Sequence, residues 1–429
     1  MIYEDLIYLW LAFIVYEFIP VTSYEIPFLF SLFLIKEFLF IFFLLIVRKK
    51  VYQSKFDIVP ILEKIFIAFV FIFYLIDLSF FKLKIYLDRI YFSSLLGILW
   101  FLHYMFLVKF LLLRVSLNYL RILLGIIFPI IMLVVLQDIF NILGMTFQGD
   151  VFLFLILVIF ISPFLMVKIW PVKPMENSEL EKSILDFFKK NKVKITQIYV
   201  LNNLGKKVYT AGILGFLPPF KYLFFSKPIL NILSKKEILG VVAHEIGHLK
   251  KRHNLWLLLV LINLPLYLLT FSVSVFLIIY YFYPELIQLI ENKESLPFSV
   301  EAFWGIALIF LSFIYIRYIF SFFLRQFERE ADFYSAIILK TPQPLISALF
   351  KIGQITGQLY KKSWHHYGIF ERIEFLNEVF SDVEKFKKIK KKFIKIRLIL
   401  MLWIFLNLMI SLIVFNIEEI VKGVSWLFS

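Results

Sequence analysis

The feature that most constrains this chain is the blocking of its apolar residues into long runs almost free of charge. Stretches such as 128–135 and 151–161 carry no ionisable side chain at all. Runs of about twenty apolar residues match the roughly 30 Å hydrocarbon layer of a bilayer, where a helix satisfies its own backbone. The 429 residues are 61% hydrophobic and 20% aromatic, against about half apolar in ordinary soluble domains. A soluble fold would need several unusually large cores. Nine candidate spans follow: about 6–20, 26–47, 58–80, 90–113, 119–137, 151–169, 255–283, 299–324 and 396–417. The first is short and contains Glu17. The expected fold is mostly α, a polytopic membrane protein with a helical transmembrane bundle.

Two polar stretches interrupt the spans. Residues 171–254 carry 15 Lys+Arg against 6 Asp+Glu, and 325–395 end in the basic run at 387–392. This suggests five segments: an amino-terminal transmembrane region at 1–170, a polar segment at 171–254, two spans at 255–324, a second polar segment at 325–395, and a last span and tail at 396–429. Basic loops mark the cytoplasmic side. Both polar stretches and the loops at 48–55 and 114–121 fall together on that side, while 284–298, with three glutamates and one lysine, falls opposite. The mildly basic 82–89 dissents. The expected topology is amino terminus inside, polar stretches cytoplasmic, carboxyl terminus outside. No cleavable signal peptide is expected, because Glu4 and Asp5 stand where lysines would be. The net charge of +15 is read as lipid-facing rather than nucleic-acid binding, with the lysine run a headgroup anchor. With no cysteine, disulfides and thiolate metal sites are excluded, so a transition-metal site must use His, Asp or Glu.

Within the first polar stretch, 178–192 reads as a short helix. Residues 195–201, 208–214 and 222–225 are apolar and β-prone, separated by turn-forming residues, and suggest a small antiparallel meander. Ser234 followed by Glu237 is a capping box, so a helix should start near Lys235 and run onward. That helix carries His244-Glu245-x-x-His248. Two histidines four apart share one helix face, and their imidazoles can hold one Zn²⁺. Glu245, rotated by about 100°, sits beside the metal as a general base for its water.

A catalytic zinc needs a third protein ligand. His253, nine residues from His244, falls about 180° around a continuous helix and cannot serve; a supporting or solvated role is expected. The third histidine of metzincins is absent, because Asn254 stands there. Glu328 is the best candidate, on the same predicted side of the membrane. Asp332, one turn on, can accept the other N–H of a zinc-bound histidine. Glu330 points about 200° away and is the alternative ligand.

These residues resemble the integral-membrane zinc metallopeptidases that include the CAAX prenyl endopeptidases and the HtpX heat-shock proteases. The matching parts are His244 to His253, two spans, then Glu328 to Asp332, and later Trp364-His365-His366 through Glu371-Arg372-Ile373. The resemblance covers about 195–376. It implies a cytoplasmic gluzincin-type zinc domain with one zinc per chain. It also implies that His366 contacts substrate or the oxyanion, and that Arg372 orders the site. Tyr367 departs from the family's proline, and the strand at 208–212 lacks its asparagine, though its main chain can still pair with a peptide. The implied activity is hydrolysis of peptide bonds in a peptide or membrane-protein substrate at the cytoplasmic face. Two alternatives are an intramembrane site-2 type protease, disfavoured by the capped, lysine-rich helix, and a silent scaffold or transporter, disfavoured by Glu245. His103 reads as a packing histidine, and Lys36-Glu37 as charges facing a bundle interior. Oligomeric state is not legible.

Overall fold

Long apolar runs become long helices, and two compact units result: Met1–Met175 with Thr196–Lys227, and Glu176–Ile195 with Pro228–Ser429. The computed structural model describes residues 8–9, 11–13, 15–16, 29–53, 59–112, 117–144, 150–176, 178–202, 208–215, 219–282, 307–308, 310–361 and 367–427.

The first unit contains α1 (Leu29–Gln53), α2 (Val59–Ser79), α3 (Leu83–Leu87), α4 (Ser93–Leu107), α5 (Leu117–Ile142) and α6 (Asp150–Ile169). α1 buries Phe40 and Leu44 yet exposes Phe30, Phe38 and Phe42, the all-round apolarity of a helix solvated by lipid. Its inward residues pack with Val70, Tyr74, Ile98, Phe101 and Tyr104. α4 begins on Phe92 at φ 65 with no capping side chain of its own. Asp138 on α5 supplies the cap instead, accepting from the amides of Ser94 (3.2 Å) and Leu95 (2.9 Å).

The expected meander is a four-stranded sheet of order β1-β2-β4-β3, with β1 Val172–Pro174, β2 Gln197–Leu201, β3 Ala211–Leu214 and β4 Tyr222–Ser226. It is mixed rather than antiparallel, because β2 and β4 pair in parallel, Gln197 opposite Tyr222. β4 turns back from β3 as a hairpin, Ala211 opposite Phe225, and enters between β2 and β3. That leaves β3 at an edge. Two terms carry the insertion: β4 is the most buried strand, and β3 is half-buried throughout. Ile122, Trp170 and Leu201 join the sheet to the ends of α5 and α6.

The second unit holds α7 (Glu179–Lys190), α8 (Lys227–Ile232, which starts at the boundary), α9 (Lys235–Lys250) and α10 (His253–Phe282). After a π-helical stretch at Tyr315–Phe320 come α11 (Ser321–Leu339), α12 (Gln343–Thr356), α13 (Ile369–Ser381) and α14 (Val383–Leu427). The lysine run and the last apolar stretch thus share one 45-residue helix. α10 and α14 pack through Val260, Leu264, Ile396 and Leu400, and Asn407 donates to Asn263 at 3.2 Å within the buried seam.

Among the described residues five helices are long and apolar enough to cross a membrane: Phe30–Lys49, Ser93–Leu111, Leu120–Ile142, His253–Ile279 and Val383–Ile413. Ile65–Ser79 and Phe160–Ile169 are shorter apolar helices within two further expected spans. Much of 6–20 and of 299–324 lies outside the described residues.

Candidate active site

The site is built on α9, whose amino terminus is fixed twice over. Ser234 N–H donates to Glu237 Oε2 at 2.7 Å, and Glu237 N–H donates back to Ser234 Oγ. The Glu237 carboxylate also receives Lys351 Nζ at 2.8 Å and the Ser347 hydroxyl, both from α12. Burial opposes charge on Glu237, but these donors hold its pKa down at about 2. The same helix buries Ile238, Val242, Ala243 and Ile246. Gly247, inside the motif, lets α11 come close: a Cβ there would sit 3.0 Å from the Ala331 carbonyl oxygen and 3.1 Å from its Cα. That approach brings the carboxylates of α11 to the histidines of α9.

His244 Nε2 and His248 Nε2 lie 3.1 Å apart. Glu328 presents Oε2 to His244 Nε2 at 3.7 Å and Oε1 to His248 Nε2 at 3.5 Å. Ligating atoms of the three residues all fall within 4.8 Å of one another. Two imidazoles and a carboxylate converging in this way match the donor set of a divalent zinc site. Glu330, the alternative, instead meets His253 Nε2 at 3.1 Å and pairs with Arg397. Burial disfavours its charge, but His253 and Arg397 together hold its pKa below the ordinary carboxylate range.

His244 Nδ1 lies 2.8 Å from Asp332 Oδ1. Asp332 is fully buried and takes a two-pronged contact from Arg372, Nε to Oδ2 at 2.8 Å and Nη2 to Oδ1 at 2.6 Å. Burial alone would raise the Asp332 pKa, and Arg372 and His244 reverse it to a lowered value. Burial likewise opposes charging His244, and Asp332 outweighs it, so that pKa is raised. At His248 burial outweighs the charge of Glu328 and drives the pKa well below the ordinary value. Neutral His248 is a ready lone-pair donor. Glu245 is half-buried on α9, close enough for its charge to favour the cationic form of Arg372.

Three features were not legible beforehand. α9 stops at Lys250, and Arg252 at φ 54 turns the chain so that His253 returns to the site at the start of α10. The placement of His253 about 180° around one continuous helix is therefore corrected, because the helix is not continuous. The run of cations after His248, just before an apolar span, is the signal that marks the break. Second, Tyr367 is held by Gln326, which donates to its hydroxyl at 2.9 Å, and by Arg329, whose guanidinium lies 3.6 Å above its ring. Third, Arg397 enters from α14. His366 lies outside the described residues.

The profile of peptidase family M48 matches residues 174–381, which include every one of these residues except Arg397. Over that segment, just under half of its length, the chain is similar to peptidase family M48. Among solved structures, S. mikatae Ste24p is similar at TM-score 0.46 and 19% identity, over 83% of this chain and 100% of that one. No curated protein matches the sequence. A peptidase-like segment and, among the described residues, five helices long and apolar enough to cross a membrane together fit an integral membrane metallopeptidase.

Proposed function

We propose that this protein is a zinc-dependent endopeptidase that hydrolyses peptide bonds at the cytoplasmic face of its membrane. The observation that carries the reading is the convergence of His244, His248 and Glu328 on one point, with Glu245 on the same helix as the two histidines. The three converging residues would hold one zinc. Zinc, when bound, lowers the pKa of a water toward 7 and polarises the scissile carbonyl. Glu245 takes the proton of the attacking water on a carboxylate oxygen and passes it to the departing amine nitrogen. Asp332 accepts from His244 Nδ1–H and so directs the Nε2 lone pair toward the ligand cluster. Arg372 holds Asp332 in register. His366 is assigned to the substrate carbonyl.

Substrate class divides between a prenylated CAAX-type peptide and a misfolded membrane protein. Comparing the new protein termini produced by the active and Glu245→Gln forms separates them: cleavage confined to one carboxyl-terminal motif supports the first, scattered sites in membrane proteins the second. For the activity itself, Glu245→Gln should retain zinc and lose cleavage. Undiminished cleavage by that variant would remove Glu245 as the base.

A further inference from the structure

His253 is completely buried between the His248 imidazole and the Glu330 carboxylate and takes no part in the ligand cluster. Its Nδ1 lies 3.0 Å from His248 Nδ1, and its Nε2 lies 3.1 Å from Glu330 Oε2. Its ring stacks on Phe327, with centroids 4.8 Å apart and planes 12° from parallel. The same Glu330 oxygen receives Arg397. A neutral imidazole has one donor nitrogen and one acceptor nitrogen, so these contacts dictate a direction. If His248 turns the Nε2 lone pair toward Glu328 and His244, its proton is on Nδ1. His253 Nδ1 must then accept, which puts the His253 proton on Nε2, where the Glu330 carboxylate accepts it. Arg397 fixes that carboxylate. Each donor meets one acceptor, and reversing any link leaves two protons or two lone pairs face to face.

We propose that His253 is a positioning residue for His248. The chain His248→His253→Glu330, closed by Arg397, holds the second ligand histidine in its Nδ1–H tautomer. It does for His248 what Asp332 and Arg372 do for His244. Its outer end is built into the membrane region: His253 opens α10, Arg397 lies on α14, and the two helices are joined by the Asn263–Asn407 contact. The ligand geometry is thereby tied to the packing of two spans. Arg397 lies beyond the segment matched by the M48 profile. The proposal rests on the zinc-site reading above.

The test uses full-length protein in detergent or nanodiscs, stripped of metal and titrated with Zn²⁺ against a chromophoric chelator. An asparagine amide places its oxygen near the position of histidine Nδ1, whereas a glutamine amide reaches the position of Nε2. His253→Asn therefore keeps the acceptor for His248, and His253→Gln keeps only the link to Glu330. The expected result is ~10- to 100-fold weaker zinc binding in His253→Gln and His253→Phe, the usual range for loss of an outer-shell partner. His253→Asn should stay within about threefold of wild type, so that it binds zinc at least about threefold more tightly than the other two. Imidazole ¹⁵N shifts of the metal-free protein should show His248 protonated at Nδ1 in wild type and His253→Asn only. Equal affinities in all forms, or asparagine as weak as phenylalanine, would overturn the proposal. If the phenylalanine variant does not fold, the asparagine–glutamine pair decides alone. Wild-type zinc affinity in His248→Ala would instead overturn the zinc-site reading beneath it.

Discussion

Both units gather charged groups in buried surroundings, and they arrange them in opposite ways. In the first, Lys36 sits among Asp77, Glu37 and Tyr104, ion-paired with Asp77 and 2.7 Å from Glu37. Trp100 donates to Asp77 at 2.9 Å, and the Tyr104 hydroxyl reaches both carboxylates. The cation is a side chain, and it occupies the middle of the cluster. In the second unit the cations stand at the rim, Arg372 Nη1 lying 3.8 Å from the Glu328 carboxylate. Arg372 lies behind Asp332, and Arg397 behind Glu330, while imidazole nitrogens and a carboxylate meet in the middle. Buried charge alone therefore does not define a site. The first arrangement completes itself and locks α1, α2 and α4 together. The second leaves its converging atoms to be completed by a cation that the chain does not provide.

This difference yields predictions that separate the two clusters. The largest effect belongs to the chemistry: Glu245→Gln should lower peptide cleavage by about 10²–10⁴-fold, the usual worth of a general base, with zinc content unchanged. Lys36→Met should cost the bundle about 3–5 kcal/mol, as expected when one member of a buried ion pair is removed. The loss would be read as a lower thermal midpoint, and zinc affinity should not move. A weakened zinc site in Lys36→Met would break the comparison. Asp332→Asn should weaken zinc binding by ~10- to 100-fold and, because it leaves the buried Arg372 cation without its carboxylate, should also destabilise the second unit by about 3–5 kcal/mol, whereas Lys36→Met moves stability alone.

The smallest effect is a pH dependence. Glu237 has a folded pKa of about 2, below its ordinary value of 4.5. A depressed carboxylate pKa contributes stability that is complete above the unfolded value and fades as pH falls through the folded one. The stability of the second unit should therefore decline between about pH 4.5 and 2. Glu237→Gln should flatten that decline, and an unchanged acid profile would contradict the role assigned to the capping carboxylate.

Much of the site was legible because its residues are related by helix spacing. His244 with His248, and Glu328 with Asp332, are pairs four apart, so one turn of helix places each pair on one face. The capping box gave the start of α9 for the same reason: it is a local pattern with a local cause. What could not be read depends on contacts between segments or on backbone without its usual marker. Arg252 adopts a left-handed conformation that sequence normally signals with glycine or asparagine, so the end of α9 was missed and His253 with it. The parallel pairing of β2 with β4 follows from the order in which strands enter the sheet, which alternation of apolar residues does not encode. β1, only three residues with a lysine and a proline, has no strand signature of its own. The pairing of Glu330 with Arg397 joins residues 67 apart, and nothing in either neighbourhood announces the other.

The central claim is that His244, His248 and Glu328 together hold the metal that this peptidase uses. Its most direct test is the zinc content of the purified protein, measured by elemental mass spectrometry in wild type and Glu328→Ala. The account predicts about one zinc per chain in the first and loss of that zinc in the second, as for a catalytic zinc deprived of its third protein ligand. Full zinc occupancy in Glu328→Ala would contradict it.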